Sequence, residues 1–182
     1  QLQRHKHNAI VYTMEKPQPD QPTYVRVEGS DIFFYSEVSQ DSILELCTTL
    51  KRMERLVDRP TIRIHIHSEG GDLCAGLGCM DYIRSLKAHV ITIVEGVCAS
   101  AATFVFLGGA ERIVTRNSYV LIHQLSHDIW GQYEQLKDEM KQCEQLMSHI
   151  KRVYLRETDI PERKLDRLLK RDLYLSHKKC VK

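Results

Sequence analysis

Ser100 lies between an apolar run, Val90 to Val94, and a stretch of small residues from Ala101 to Gly108. A strand-to-helix turn there lifts its hydroxyl out of the sheet. It also sets the hydroxyl at a helix start, where free N–H groups and the helix dipole favour developing negative charge. That setting suits a hydroxyl attacking a carbonyl. Serine is equally the ordinary cap of a helix, so residue type alone leaves both readings open. Gly70-Gly71 also sits between a strand and a helix, and two glycines let backbone N–H groups approach a ligand. An ordinary turn has the same composition. His123 ends the apolar stretch Tyr119 to Ile122 and can accept a hydroxyl proton near neutral pH. It is one of nine histidines, and many carboxylates could orient it. His65 and His67 alternate on one strand face, but no carboxylate or cysteine stands at ligand spacing, so no metal site is expected. With His89, His127 and His149 they read as surface residues. Residue types therefore reach an α/β domain with a Ser/His pair of open role.

The elements that must hold these residues follow from periodicity. Thr23 to Val27 and Asp31 to Tyr35 read as a hairpin around Glu28-Gly29-Ser30-Asp31. Ser39 or Asp41 caps a helix carrying Ile43, Leu46, Leu50 and Met53 at helical spacing, and Pro60 stops it. Thr61 to His67 alternates as a strand, Ser68 to Asp72 turns, and Leu73 to Leu86 is helical. Val90 to Val94 is a strand, Glu95 to Ser100 a turn, and Ala101 to Gly108 a helix. Arg112 to Thr115 and Tyr119 to Ile122 are further strands. Strands alternating with helices predict a mainly parallel sheet. About Tyr133 to Glu157 is one amphipathic helix, longer than the ~10–14 residues usual in globular domains. It either projects and offers its apolar stripe to a partner, or covers the sheet. Asp159-Ile160-Pro161-Glu162 opens a last helix. Residues 1–22 hold three of the five prolines and predict a flexible N-terminal segment before one domain over 23–182.

Composition narrows the function classes. The 182 residues suffice for one compact core. A net charge of +2, from 26 basic against 24 acidic residues, gives no footprint for nucleic acid. No run approaches the ~18 apolar residues of a membrane span, and no signal peptide is visible. The chain starts without Met, which leaves room for a removed upstream segment. Six cysteines form no C-x-x-C pair. The surroundings of Cys47, Cys74 and Cys98 suit buried, reduced thiols.

Four segments, in order, resemble the Clp protease proteolytic subunit (ClpP) family of serine peptidases. His67-Ser68-Glu69-Gly70-Gly71-Asp72-Leu73-Cys74-Ala75-Gly76 is similar to its N-S-P-G-G-x-x-x-A-G. Gly96-Val97-Cys98-Ala99-Ser100-Ala101-Ala102 is similar to its G-x-A-A-S-M-G nucleophile turn. Asn117 to Gln124 resembles its N-S-x-x-M-I-H-Q, and Lys170 to Ser176 its E-R-D-x-[FY]-[ML]-S. The resemblance implies a ClpP/crotonase-like fold, with repeated ββα units, a mainly parallel sheet and a long projecting handle helix near 133–157. It implies a triad of Ser100, His123 and Asp172 and an oxyanion hole from the amides of Gly71 and Ala101. Gly70, Asp72, Leu73, Leu125 and Ser126, with His127, would flank an extended substrate. The family pattern further implies cleavage of unfolded polypeptides within two stacked heptameric rings and an AAA+ unfoldase as partner. It implies no intrinsic cofactor, since ATP is used by that partner, and a cytoplasmic location, bacterial or that of a phage's host.

Departures from the pattern are specific. Glu69 replaces a Pro, Ala101 and Ala102 replace Met and Gly, and Leu125 replaces a Pro. The glycine-rich handle strand shrinks to Asp128 to Gln132. The N-terminal third matches poorly, and the chain stops before the family's Gly-hydrophobic-Asp ending, as a shortened chain would. Such divergence is similar to phage-encoded members, so a capsid-maturation protease is an alternative. A non-proteolytic, acyl-CoA-binding crotonase-like relative is another.

Overall fold

The computed structural model describes residues 23–56, 60–126 and 128–180; the expected flexible segment 1–22 and His127 lie outside them. Strands β1 (Val25–Glu28) and β2 (Asp31–Phe34) form the expected antiparallel hairpin, turned by Gly29 at φ 59°. Helix α1 (Gln40–Leu56) follows. Its cap is Ser39, whose hydroxyl accepts from the Ser42 amide while the Ser42 hydroxyl accepts from the Ser39 amide. Then come β3 (Thr61–Ser68), α2 (Leu73–Ser85), β4 (His89–Ala99), α3 (Ala102–Leu107), β5 (Glu111–Val114) and β6 (Tyr119–Leu121). The chain closes with α4 (Tyr133–Glu157), α5 (Glu162–Leu169), β7 (Tyr174–Ser176) and α6 (His177–Cys180).

All the described strands join one sheet in the order β1-β2-β3-β4-β6-β7, with β5 also on β4. The pairs β2-β3, β3-β4, β4-β5 and β4-β6 are parallel, while β1-β2 and β6-β7 are antiparallel. This is the mainly parallel α/β architecture expected of the ClpP/crotonase-like fold. Period-two alternation gives the sheet two unlike faces. Ile62, Ile64 and Ile66 of β3 are fully buried under the helices, with Leu46, Leu50, Phe104 and Tyr154 in the same core. Arg63, His65 and His67 face the other way.

Two strands differ from the sequence reading, and the short helix α6 follows the helix read as the last. First, β4 does not end at Val94. Glu95-Gly96 is a bulge, not a turn: Ile66 pairs with Val94 but Ser68 with Cys98, so β4 carries two extra residues there. Gly96 has φ 84°, its amide donates to the Ser118 hydroxyl at 2.7 Å, and a Cβ on it would strike the His67 ring. Before the bulge β4 pairs with β5, and beyond it with β6. Second, β7 is too short to have a readable period, and it exists because β6 pairs with it. The long helix α4 has the expected ends. Only Ile150, Val153 and Tyr154 of its 25 residues are buried, with Met147 packed against the same core, so its last three turns anchor it and the remainder projects. Cys98 is buried as expected, but Cys74 is exposed because it lies on the outward side of α2.

Candidate active site

The sheet brings the site together through its register. β3, β4 and β6 run parallel and end at one edge, the edge at which open α/β sheets bind ligands. Ser68 pairs with Cys98, so Gly70 comes beside Ser100. Ala99 pairs with Leu121, and the Ser100 amide donates to the Leu121 carbonyl at 2.9 Å. The antiparallel pairs Tyr119 with Ser176 and Leu121 with Tyr174 continue the same register. Carried two residues past the strand end, it sets His123 opposite Asp172. Four segments far apart in sequence thus meet because β3, β4 and β6 end, and the antiparallel β7 begins, at one edge.

Ser100 is half-buried and has φ 53°, the single non-glycine among the described residues in the left-handed region. Such a backbone costs about 1–3 kcal/mol and persists only where neighbours enforce it. Gly70 is one of those neighbours. With φ 102° it lies so close that a Cβ on it would fall 2.6 Å from the Ser100 Cβ and 2.7 Å from the Ala99 carbonyl oxygen. Any side chain there would push the serine out.

Gly71 makes a parallel bridge with Val38. The bonds of that bridge run from the Val38 amide to the Gly70 carbonyl and from the Asp72 amide to the Val38 carbonyl, each 2.7 Å. In a parallel bridge the central residue's own N–H points to the opposite side. Among the described residues the Gly71 amide is therefore unspent, and it faces away from Val38. Gly71, Leu73, Ser100, Ala101, His123, Leu125 and Ser126 line one cleft together, which runs back to Ile150 and Tyr154.

The other expected site residues have different settings. The Gly70 amide donates to the Ser68 hydroxyl and its carbonyl accepts from Val38, so its backbone is already used. The Asp72 carboxylate caps α2 through the Ala75 amide at 2.9 Å and does not line the cleft. His123 Nδ1 stands 4.0 Å from Asp172 Oδ1, at the outer limit of an ion pair and beyond hydrogen-bond range. Asp172 is 79% exposed against 22% for His123. Among the described residues no hydrogen bond joins Ser100 to His123.

Sequence reasoning missed two groupings. Behind Ser100, the Thr103 hydroxyl donates to the Ser100 carbonyl at 2.6 Å and also lies 2.6 Å from the Tyr154 hydroxyl. Nothing in the local sequence of α4 marks Tyr154 as different from other stripe residues. On the outer sheet face, His65 is not a plain surface residue. Its Nδ1 meets Glu95 Oε1 at 2.9 Å, its Nε2 meets Asp31 Oδ1 at 3.0 Å, and its ring stacks on Phe33 at 4.7 Å. The alternation of β2 against β3 carried that signal, since Asp31 pairs with Arg63 and Phe33 with His65. Each ring nitrogen already has a carboxylate partner, and among the described residues no group of three or more His, Cys, Asp or Glu side chains is placed to hold a metal ion. Arg63 also clamps Asp31, at 2.6 and 2.7 Å. The guanidinium, with His65, holds the Asp31 carboxyl well below the usual carboxylate range. The Tyr35 hydroxyl, 2.5 Å from Glu95, is pushed up to about 12 by that carboxylate and by burial.

Comparison with known proteins identifies a family. A profile of the Clp protease family matches residues 20–182. The chain is 33% identical over 152 residues to the ATP-dependent Clp protease proteolytic subunit 2 of Treponema denticola, covering 82% of this chain and 76% of that protein. It is 34% identical over 115 residues to the ATP-dependent Clp protease proteolytic subunit of Oltmannsiellopsis viridis, covering 62% of this chain and 59% of the relative. It is 32% identical over 123 residues to that of Deinococcus radiodurans, covering 66% and 60%. With a family profile spanning nearly its whole length, and a mainly parallel α/β sheet that gathers the family's motif segments at one edge, the chain belongs to the Clp protease (ClpP) family.

Proposed function

We propose that the chain is a serine endopeptidase that cuts unfolded polypeptides to short peptides inside a ring-shaped oligomer. The observation that carries this reading is the cleft shared by Ser100, His123 and the unspent Gly71 amide. In the proposed cycle the Ser100 Oγ attacks the peptide carbonyl while His123 takes its proton. The amides of Gly71 and Ala101 receive the oxyanion. His123 then protonates the leaving amine, and water releases the acyl group by the same path. Asp172 orients His123 and stabilises its charged form. Gly70 to Leu73 on one side, and Leu125 with Ser126 on the other, flank an extended substrate strand.

This reading extends to the assembly. Helix α4 is the contact between two stacked heptameric rings, and a Clp-type AAA+ unfoldase supplies substrate and consumes the ATP. The chain needs no cofactor of its own, and the work is cytoplasmic. The relatives' names support the ATP-dependent partner, and the projecting, half-apolar α4 supports self-association. Among the described residues, no helix is long and apolar enough to cross a membrane.

The test is a fluorophosphonate probe combined with hydrolysis of a small fluorogenic peptide. Wild type should label at Ser100 and turn over. Ser100→Ala should lose the label and most turnover, on the order of 10⁶-fold where a triad acts as a unit. Unchanged cleavage by Ser100→Ala would refute the assignment. Acyl-CoA binding by a protein that takes no label would favour the crotonase-like alternative.

A further inference from the structure

The hydroxyl pair behind Ser100 has a direction that proton counting fixes. The Ser100 carbonyl oxygen carries no hydrogen, so at 2.6 Å the Thr103 hydroxyl must be the donor. That spends its only proton. The Thr103 oxygen must then accept, and the Tyr154 hydroxyl, 2.6 Å away, must donate. The chain of bonds therefore runs from Tyr154 through Thr103 to the Ser100 carbonyl. Both side chains are 2% exposed, and the Tyr154 ring is stacked on Phe104 at 5.2 Å. Burial raises the Tyr154 phenol far above its ordinary range, so it stays a protonated donor at any working pH. The Thr103 amide adds a second bond to the same carbonyl at 3.0 Å.

The Ser100 carbonyl and the Ala101 N–H belong to one planar trans peptide and point in opposite directions. Whatever fixes the carbonyl aims the amide. We infer that Tyr154 and Thr103 are positioning residues. They lock the Ser100–Ala101 peptide plane and so hold both the left-handed backbone of Ser100 and the Ala101 donor in place for the oxyanion. Neither hydroxyl touches the reacting atoms. Tyr154 lies in the last turn of α4, so the seating of the projecting helix is wired to the oxyanion site. This inference rests on the reading of Ser100 as nucleophile.

The test uses the full chain with Thr103→Val, Thr103→Ser, Tyr154→Phe and the double variant Thr103→Val/Tyr154→Phe. For each, kcat per probe-labelled Ser100, KM and melting temperature are measured. Loss of one oxyanion donor costs about 10²–10³ in kcat, so misaiming one should cost about ten-fold. Thr103→Val should lose that much kcat at unaltered KM, Tyr154→Phe about three-fold, and Thr103→Ser almost nothing. Thr103→Val also orphans the buried Tyr154 hydroxyl and should melt early, whereas the double variant removes both partners and should regain stability. Its kcat should nevertheless stay about ten-fold down. Recovery of kcat together with stability in the double variant would mean a merely structural pair and overturn the inference. So would full activity in every variant that still labels at Ser100. A wild type that neither labels nor turns over would instead overturn the nucleophile reading, and this inference with it.

Discussion

Ser100, Gly70 and Asp172 would contribute to the proposed site by different physical means, and their substitutions should separate accordingly. Gly70→Ala places a methyl 2.6 Å from the Ser100 Cβ at a φ of 102°. It should cost activity and at least ~2 kcal/mol of stability, seen as reduced labelling and a lower melting temperature. Asp172 is exposed and only at ion-pair distance from His123. Asp172→Asn should therefore retain more activity than His123→Ala, by about 100-fold in single-turnover rates. Equal losses would show that Asp172 is drawn fully onto the histidine in the working state. The residue types at the site were legible in the sequence, but their partnership was not. A helix-start serine, a glycine pair and a strand-end histidine each have ordinary uses. What selects them is a register that only the family's motif order, or the folded sheet, makes visible. Thr103 and Tyr154 were not legible at all, because their bond joins residues 51 positions apart.

Among the elements, legibility followed length and period. Helix α4 was read to its ends because its apolar stripe, Leu136 to Tyr154, repeats over about five turns, and β3 because Ile62, Ile64 and Ile66 alternate cleanly. The tail of β4 was lost because Glu95-Gly96 has the composition of a turn. In the fold, the same pair is the bulge that passes β4 from β5 to β6 and delivers Ser100 beside Leu121. Gly96→Ala tests this. A Cβ there meets the His67 ring on a backbone with φ 84°, so the variant should be destabilised by about 2 kcal/mol. It should lose probe labelling beyond what its melting point explains. Retention of full labelling would show that the strand end is placed by β6 alone.

The whole molecule carries two signatures open to measurement. One is acid sensitivity. Arg63 and His65 hold the Asp31 carboxyl far down, and Tyr35 and His65 lower Glu95. Arg84, with Arg156, pushes Glu157 down to about 2. Carboxyls depressed by folding stabilise it above their unfolded pKa, near 4, and lose that contribution as pH falls through the folded value. For His65 burial opposes charge, but Asp31 and Glu95 outweigh it and the ring is raised. Its contribution is present below about 6.5 and fades as pH rises through the folded value. The melting temperature should thus drop from pH 4 towards pH 2, and Asp31→Asn should flatten that drop. The other follows from the proposed ring assembly. Met140 and Leu146 are exposed on the projecting part of α4. Met140→Lys/Leu146→Lys should reduce the mass measured by light scattering and leave the melting temperature of the protomer unchanged. The bulge in β4 sets a counting rule for the chain. It inserts two residues, an even number, so Val94 and Cys98 still face inward. An odd insertion or deletion taken up in the regular pleat would invert every following side chain, turning Cys98 to the outer face and carrying Ser100 to the wrong side of the sheet. Length changes of two residues at this point leave Cys98 facing inward, whereas a single residue keeps that face only if a further bulge absorbs it.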